Sequence, residues 1–122
     1  MYGAPRNGAL IYVSCPTIAQ ERRGVERVAA QERRLLRQLT SALEGTPGLE
    51  LFVSPDAQLQ TGVLSLRSAG HDCERVAQAL GEAGIAVRAG LHCAPLAHAA
   101  GGTEQTGTVR VSVSAFNTSR EI

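Results

Sequence analysis

The sequence predicts a two-layer α/β sandwich: a small, largely antiparallel sheet with helices packed on one face. Two observations carry that expectation. Two segments repeat apolar residues at the helical period, and four short segments carry strand patterns, the last a clean alternation. Their order is helix, strand, strand, helix, strand, long loop, strand.

Residues 21–44 read as the first helix. Val25, Val28, Leu35, Leu36, Leu39 and Leu43 fall on one face, Gly45 suits the C-cap, and Pro47 blocks continuation. On the other face Arg22, Arg23, Arg27, Arg33, Arg34 and Arg37 alternate with Glu21, Glu26 and Glu32, which reads as a solvated surface rather than a binding patch. Leu49–Val53 is the first strand. Ser54-Pro55-Asp56 turns the chain, and a second strand runs from Gln60 or Thr61 to Arg67, with Leu64 and Leu66 alternating against Ser65 and Arg67. A second helix spans about 72–83. Cys73, Val76, Ala77 and Leu80 form its stripe, which gives Cys73 a packing role, and Gly84 closes it. Ile85–Arg88 is the third strand. Thr108–Ser114 is the fourth, with Val109, Val111 and Val113 opposite Arg110, Ser112 and Ser114. Residues 1–20 read as an irregular lead-in with a short strand at Ala9–Val13.

At 122 residues the chain fits one domain. Twelve basic residues against eleven acidic ones give a net charge of +1, so nucleic acid is not an expected partner. No apolar run approaches the ~20 residues of a membrane span, so a membrane is not expected either. Cys15, Cys73 and Cys93 are an odd, widely spaced set, which points to a reducing, cytoplasmic setting rather than a disulfide framework. All twelve basic residues are arginine. With no lysine, no side chain here can form a Schiff base.

The chemistry concentrates in the long loop, residues 89–107, and at its two ends. Pro95 suits the first position of a short helix running to about Ala99, which places Cys93 just before a helix N-terminus, where partial positive charge suits a nucleophilic sulfur. His92 and His98 lie nearby in sequence. Arg88 ends the strand entering the loop and Arg110 begins the strand leaving it. Two neighbouring guanidinium groups would be joined by a carboxylate; alternatively they are surface arginines paired with Glu82, Glu104 or solvent. Zinc bound by His92, Cys93 and His98, with His71 or Cys73 as fourth ligand, fits no tight spacing pattern, so no metal is expected.

The segment Gly84-Ile85-Ala86-Val87-Arg88-Ala89-Gly90-Leu91-His92-Cys93-Ala94-Pro95-Leu96-Ala97-His98 resembles the active-site cysteine segment of the cysteine desulfurases, which belong to the class V aminotransferase family of pyridoxal-phosphate enzymes. Gly107-Thr108-Val109-Arg110-Val111-Ser112, followed by Phe116-Asn117-Thr118, resembles that family's second arginine strand and its aromatic-Asn-Thr ending. The resemblance covers about residues 24–122. It implies the C-terminal small domain of a fold-type I pyridoxal-phosphate enzyme, over residues 21–122 and truncated at its C-terminus. By position, Cys93 would attack the substrate sulfur and carry the persulfide, Arg110 would bind the substrate carboxylate, and Arg88 would lie in the same region. His92, His98 and Asn117 would be supporting residues. The implied reaction takes L-cysteine, or a related amino acid, to L-alanine, and the implied parent enzyme is a homodimer with an unspecified sulfur acceptor. The family's cofactor lysine and its other cofactor-binding residues belong to a large domain preceding this one. The chain is therefore expected not to bind pyridoxal phosphate covalently and to be inactive alone. The alternative is a non-catalytic binding or interaction module that keeps the fold.

Overall fold

The computed structural model describes residues 22–122. The expected strand at 9–13 lies outside them. The elements are α1 (Val25–Leu43), β1 (Leu49–Phe52), β2 (Val63–Ser68), α2 (Cys73–Glu82), β3 (Arg88–Gly90), α3 (Pro95–Gly101) and β4 (Thr108–Ser112). The four strands form one antiparallel sheet in the order β1-β2-β4-β3.

Register divides the sheet into two unlike faces. Leu64 lies opposite Val111, and Leu66 opposite both Val109 and Leu51, so these side chains share one face. Leu35 and Leu36 of α1 close onto it, and with Leu64 and Val113 they form the core, flanked by Leu39, Leu43, Leu51, Val111 and Ile122. Leu35, Leu36, Leu64 and Val109 are essentially solvent-free, and burying each such side chain contributes roughly 1.5–3 kcal/mol. On the other face a polar row crosses the whole sheet: Phe52 opposite Ser65, Ser65 opposite Arg110, Arg110 opposite Arg88. The short α3 lies over this second face, with Ala97 and His98 above Phe52, Ser65 and Thr108.

The third strand begins three residues later than the sequence suggests. Gly84, at φ 84°, donates its N–H to Gly81 O, and Ile85 donates to Leu80 O, the paired bonds of a Schellman stop. That motif consumes Gly84 and Ile85, and pairing starts only at Arg88. The second strand is also shorter at its start. The Gln60 side chain accepts from Ser54 N–H at 2.7 Å and donates to Val63 O at 2.9 Å, which makes Gln60 part of the loop. The fourth strand ends at Ser112, because Asn117 Oδ1 captures the Ser114 N–H at 2.9 Å.

The polar face of α1 is not simply solvated. Arg23 and Gln31 donate to Ala115 O, Gln31 also to Asn117 O, Arg34 to Ser119 Oγ and Gln38 to Ser119 O. The Arg23 guanidinium also sits 5.4 Å from the Phe116 ring centre, a cation–π contact. Arginines that read as a solvent face, together with Gln31 and Gln38, therefore strap residues 115–119 along the helix. Cys73 is half-buried, and its Sγ lies against Gly107, consistent with packing.

Two predictions follow from the α1–β2 contact. A methyl group on Gly62 would sit 2.8 Å from Val113 O, so Gly62→Ala must shift backbone and should cost about 1–3 kcal/mol in urea unfolding. Burial raises the Glu32 carboxyl above its ordinary 4.5. The unfolded chain then ionises first as pH rises, so the stability contribution of Glu32 is complete below about pH 4.5 and is lost as pH climbs through the folded value. Glu32→Gln should unfold at higher urea than the parent at pH 7, and the gap should close at pH 4; a gap independent of pH would contradict this.

Candidate functional site

β3 and β4 bring the two predicted arginines together: Arg88 and Arg110 are direct cross-strand partners. Side chains in such pairs project from the same face of the sheet. Arg88 is exposed and Arg110 half-buried. Neither has an acidic partner among the described residues, where the ion pair present joins Arg67 to Glu50. The proposed Glu82 and Glu104 partners are therefore not engaged. The Nε–H of Arg110 is buried and has no acceptor among the described residues, and the Thr108 hydroxyl is in the same position. A buried guanidinium N–H without an acceptor is costly, and a carboxylate presents two oxygens to satisfy it.

The loop leaving β3 begins with a tight turn, Leu91–Ala94, closed by Ala94 N–H donating to Leu91 O at 2.9 Å. Its corner residues, His92 and Cys93, have φ of 52° and 59°, and they are the non-glycine residues of positive φ among those described. Left-handed backbone costs an ordinary residue roughly 1–2 kcal/mol. Such outliers gather at functional sites. The turn leaves Cys93 exposed at its tip. α3 follows with Pro95 as its first residue, as expected, and runs to Gly101.

His92 turns inward. Its Nε2–H donates to Thr108 O at 3.2 Å, since a carbonyl can only accept. Burial pulls its pKa below the ordinary 6.5. The Thr108 bond opposes that shift, and the charges of Arg110, His98 and Arg88 add to it. His98 is 7% exposed and shares a 2.7 Å hydrogen bond with Thr103 Oγ1; its ring centre lies 6.0 Å from that of His92. Thr103 N–H in turn donates to His98 O, and Gly107 N–H to Thr103 O, so the loop is folded on itself. Gly107 closes it at φ 61°, where an added Cβ would lie 3.1 Å from both Gly90 Cα and Cys73 Sγ.

The structure thus gathers Arg88, Arg110, His92 and His98 around the loop that bears Cys93. It does not bring Asn117 there. Asn117 lies past the far end of β4, where its side chain caps the 114–117 turn. Among the described residues no three His, Cys, Asp or Glu side chains converge on a metal position. Thr103 and Thr108 were not singled out by sequence, and neither was the strained turn. Ser65 was within reach, since the Leu64/Leu66 alternation places it on the arginine face.

Pyridoxal phosphate, the cofactor implied by the resemblance, attaches through a lysine amine. The chain has none. Its side chains therefore do not fit covalent attachment of the cofactor.

Comparison with known proteins places these features in a family. Residues 7–122 match the family model described as aminotransferase class-V. A probable cysteine desulfurase of Mycolicibacterium paratuberculosis is 46% identical over 102 residues, covering 84% of this chain and 14% of that protein. The cysteine desulfurase of Synechococcus elongatus is 41% identical over 99 residues, 81% of this chain and 15% of that protein. Among solved structures, the apo cysteine desulfurase of Thermococcus onnurineus superposes with a TM-score of 0.77 at 30% identity, over 85% of this chain and 25% of that one. The cysteine desulfurase CsdA (S-sulfonic acid) of Escherichia coli gives 0.74 at 29%, with the same coverage. The chain spans about one seventh of the length of the first two proteins and a quarter of the solved chains. With the four-stranded antiparallel sheet, the matched family model and these relatives in agreement, the chain belongs to the aminotransferase class-V family and is related to its cysteine desulfurases.

Proposed function

We propose that this chain forms the carboxylate-binding and sulfur-accepting part of a cysteine desulfurase. Arg110, with Arg88 beside it, binds the carboxylate of L-cysteine or a closely related amino acid, and Cys93 takes up the substrate sulfur. The observation that carries this is the cross-strand arginine pair with a buried Nε–H that has no acceptor among the described residues, next to a loop that exposes a thiol. Relationship to the desulfurases supports it.

The transfer balances as enzyme thiol plus L-cysteine giving enzyme persulfide plus L-alanine. The Cys93 sulfur forms the new S–S bond as the substrate C–S bond breaks; the bonding pair stays with carbon, which gains a proton. Pyridoxal phosphate, on a lysine of another domain, would supply the electron sink that lets the C–S bond break; the residues here bind the carboxylate and accept the sulfur. Arg110 fixes the substrate by a charge-assisted, bidentate contact, which sets the distance from substrate sulfur to thiol. Because Cys93 sits at an exposed turn, its persulfide is open to an acceptor thiol. A thiol that must stay reduced fits a reducing, cytoplasmic setting.

The test has two parts. In the folded chain Cys93 should alkylate about tenfold faster than Cys73, since it is exposed where Cys73 is half-buried; equal rates would contradict a reactive role. Combined with a lysine-bearing pyridoxal-phosphate domain, the chain should release alanine from L-cysteine, and Cys93→Ser should abolish the persulfide. Arg110→Gln should raise KM for L-cysteine about 10–100-fold, the worth of a charged hydrogen-bonded contact. Alanine release by the chain on its own would overturn the division of labour.

A further inference from the structure

The turn that carries Cys93 is built against its residues' own preference. Positive φ at both central positions of a turn closed by an i to i+3 hydrogen bond is the type I′ pattern, which favours Asn-Gly. Here the corner is His92-Cys93. Neither residue relieves the strain by lacking a side chain, so surrounding contacts have to hold the backbone in place.

His92 makes that contact. Its Nε2–H reaches Thr108 O at 3.2 Å. Thr108 is 2% exposed, opens β4, and is paired with Gly90 across the sheet. It lies two residues before Arg110 on the same strand, and therefore on the same face. One hydrogen bond thus joins the turn bearing the thiol to the strand bearing the carboxylate-binding arginine. The ring of His98, fixed by Thr103, lies 6.0 Å away and limits movement of His92.

We propose that His92 is a positioning residue: by bonding to Thr108 it holds the Cys93 turn in its strained form and sets the thiol's place relative to Arg110. This rests on the reading of Cys93 as sulfur acceptor and Arg110 as carboxylate ligand. A side chain's direction follows backbone φ and ψ, so a turn relaxed to negative φ at position 93 would aim the sulfur elsewhere.

Amide hydrogen exchange of the folded chain tests it, because the Ala94 N–H closes the turn. In His92→Ala, loss of one hydrogen bond should speed Ala94 exchange about fivefold, with Val109 and Val111 unchanged. His92→Gln keeps a donor N–H on a side chain of comparable reach, and it should return Ala94 to within about twofold of the parent. Unchanged Ala94 exchange in His92→Ala, or equal acceleration in both variants, would overturn the proposal. A second measurement needs no variant: nitrogen NMR of the His92 ring at neutral pH should show Nε2 protonated and Nδ1 bare, and the opposite tautomer would overturn the proposal. Failure of the underlying functional reading appears separately, as equal alkylation of Cys93 and Cys73 in the unaltered chain with the Ala94 results intact.

Discussion

The β3–β4 register sets two positive charges side by side. Arg88 stands directly opposite Arg110, and like charges in such a cross-strand pair are unfavourable. The described residues supply no carboxylate to offset the repulsion and no acceptor for the buried Nε–H of Arg110. The fold tolerates this because the opposite face of the same strands is well packed. Val109 and Val111, alternating with Arg110, lie opposite Leu66 and Leu64 on the core face. A one-residue slip would place the arginines in the core and the valines in solvent, so the hydrophobic pattern itself locks the charges where they are.

The remaining parts serve that strand pair. The Schellman stop at Gly84 delays β3 until Arg88, which puts the arginine within the pairing rather than beyond it. Gly107 lets the returning chain pass close against Gly90 and Cys73. Between them the loop folds over the polar face through His98 and Thr103, and its first turn is tied to β4 by His92. At the far end of β4, Asn117 turns the chain so that residues 115–119 run back along α1 under Arg23, Gln31, Arg34 and Gln38. The five-residue β4 carries Arg110 and the core valines and anchors the turn that bears the thiol.

Much of this was legible in the sequence, and the boundaries of that legibility are physical. Periodicity located both long helices and all four strands, because each turns its apolar residues to one side. It missed the start of β3, since a Schellman stop depends on which backbone groups are left unpaired and not on hydrophobicity. It read the arginines of α1 as solvent-facing, since a charged face looks the same whether water or the backbone of a distant segment meets it. Arg88, Arg110 and Cys93 were found from their places at the ends of a long loop. Their juxtaposition needed the register. Asn117 came from a motif match, and its side chain holds a turn. The strain at His92 and Cys93 left no trace, because His-Cys is not a dipeptide that announces a type I′ turn.

The most direct test of the carboxylate site is to follow the Arg110 Nε–H resonance by NMR while titrating the folded chain with L-alanine, the desulfuration product. A saturable shift of Arg110, weakened in Arg88→Gln and absent with uncharged L-alaninamide, is the result this account predicts. An Arg110 resonance indifferent to L-alanine, or shifted equally by L-alaninamide, would contradict it.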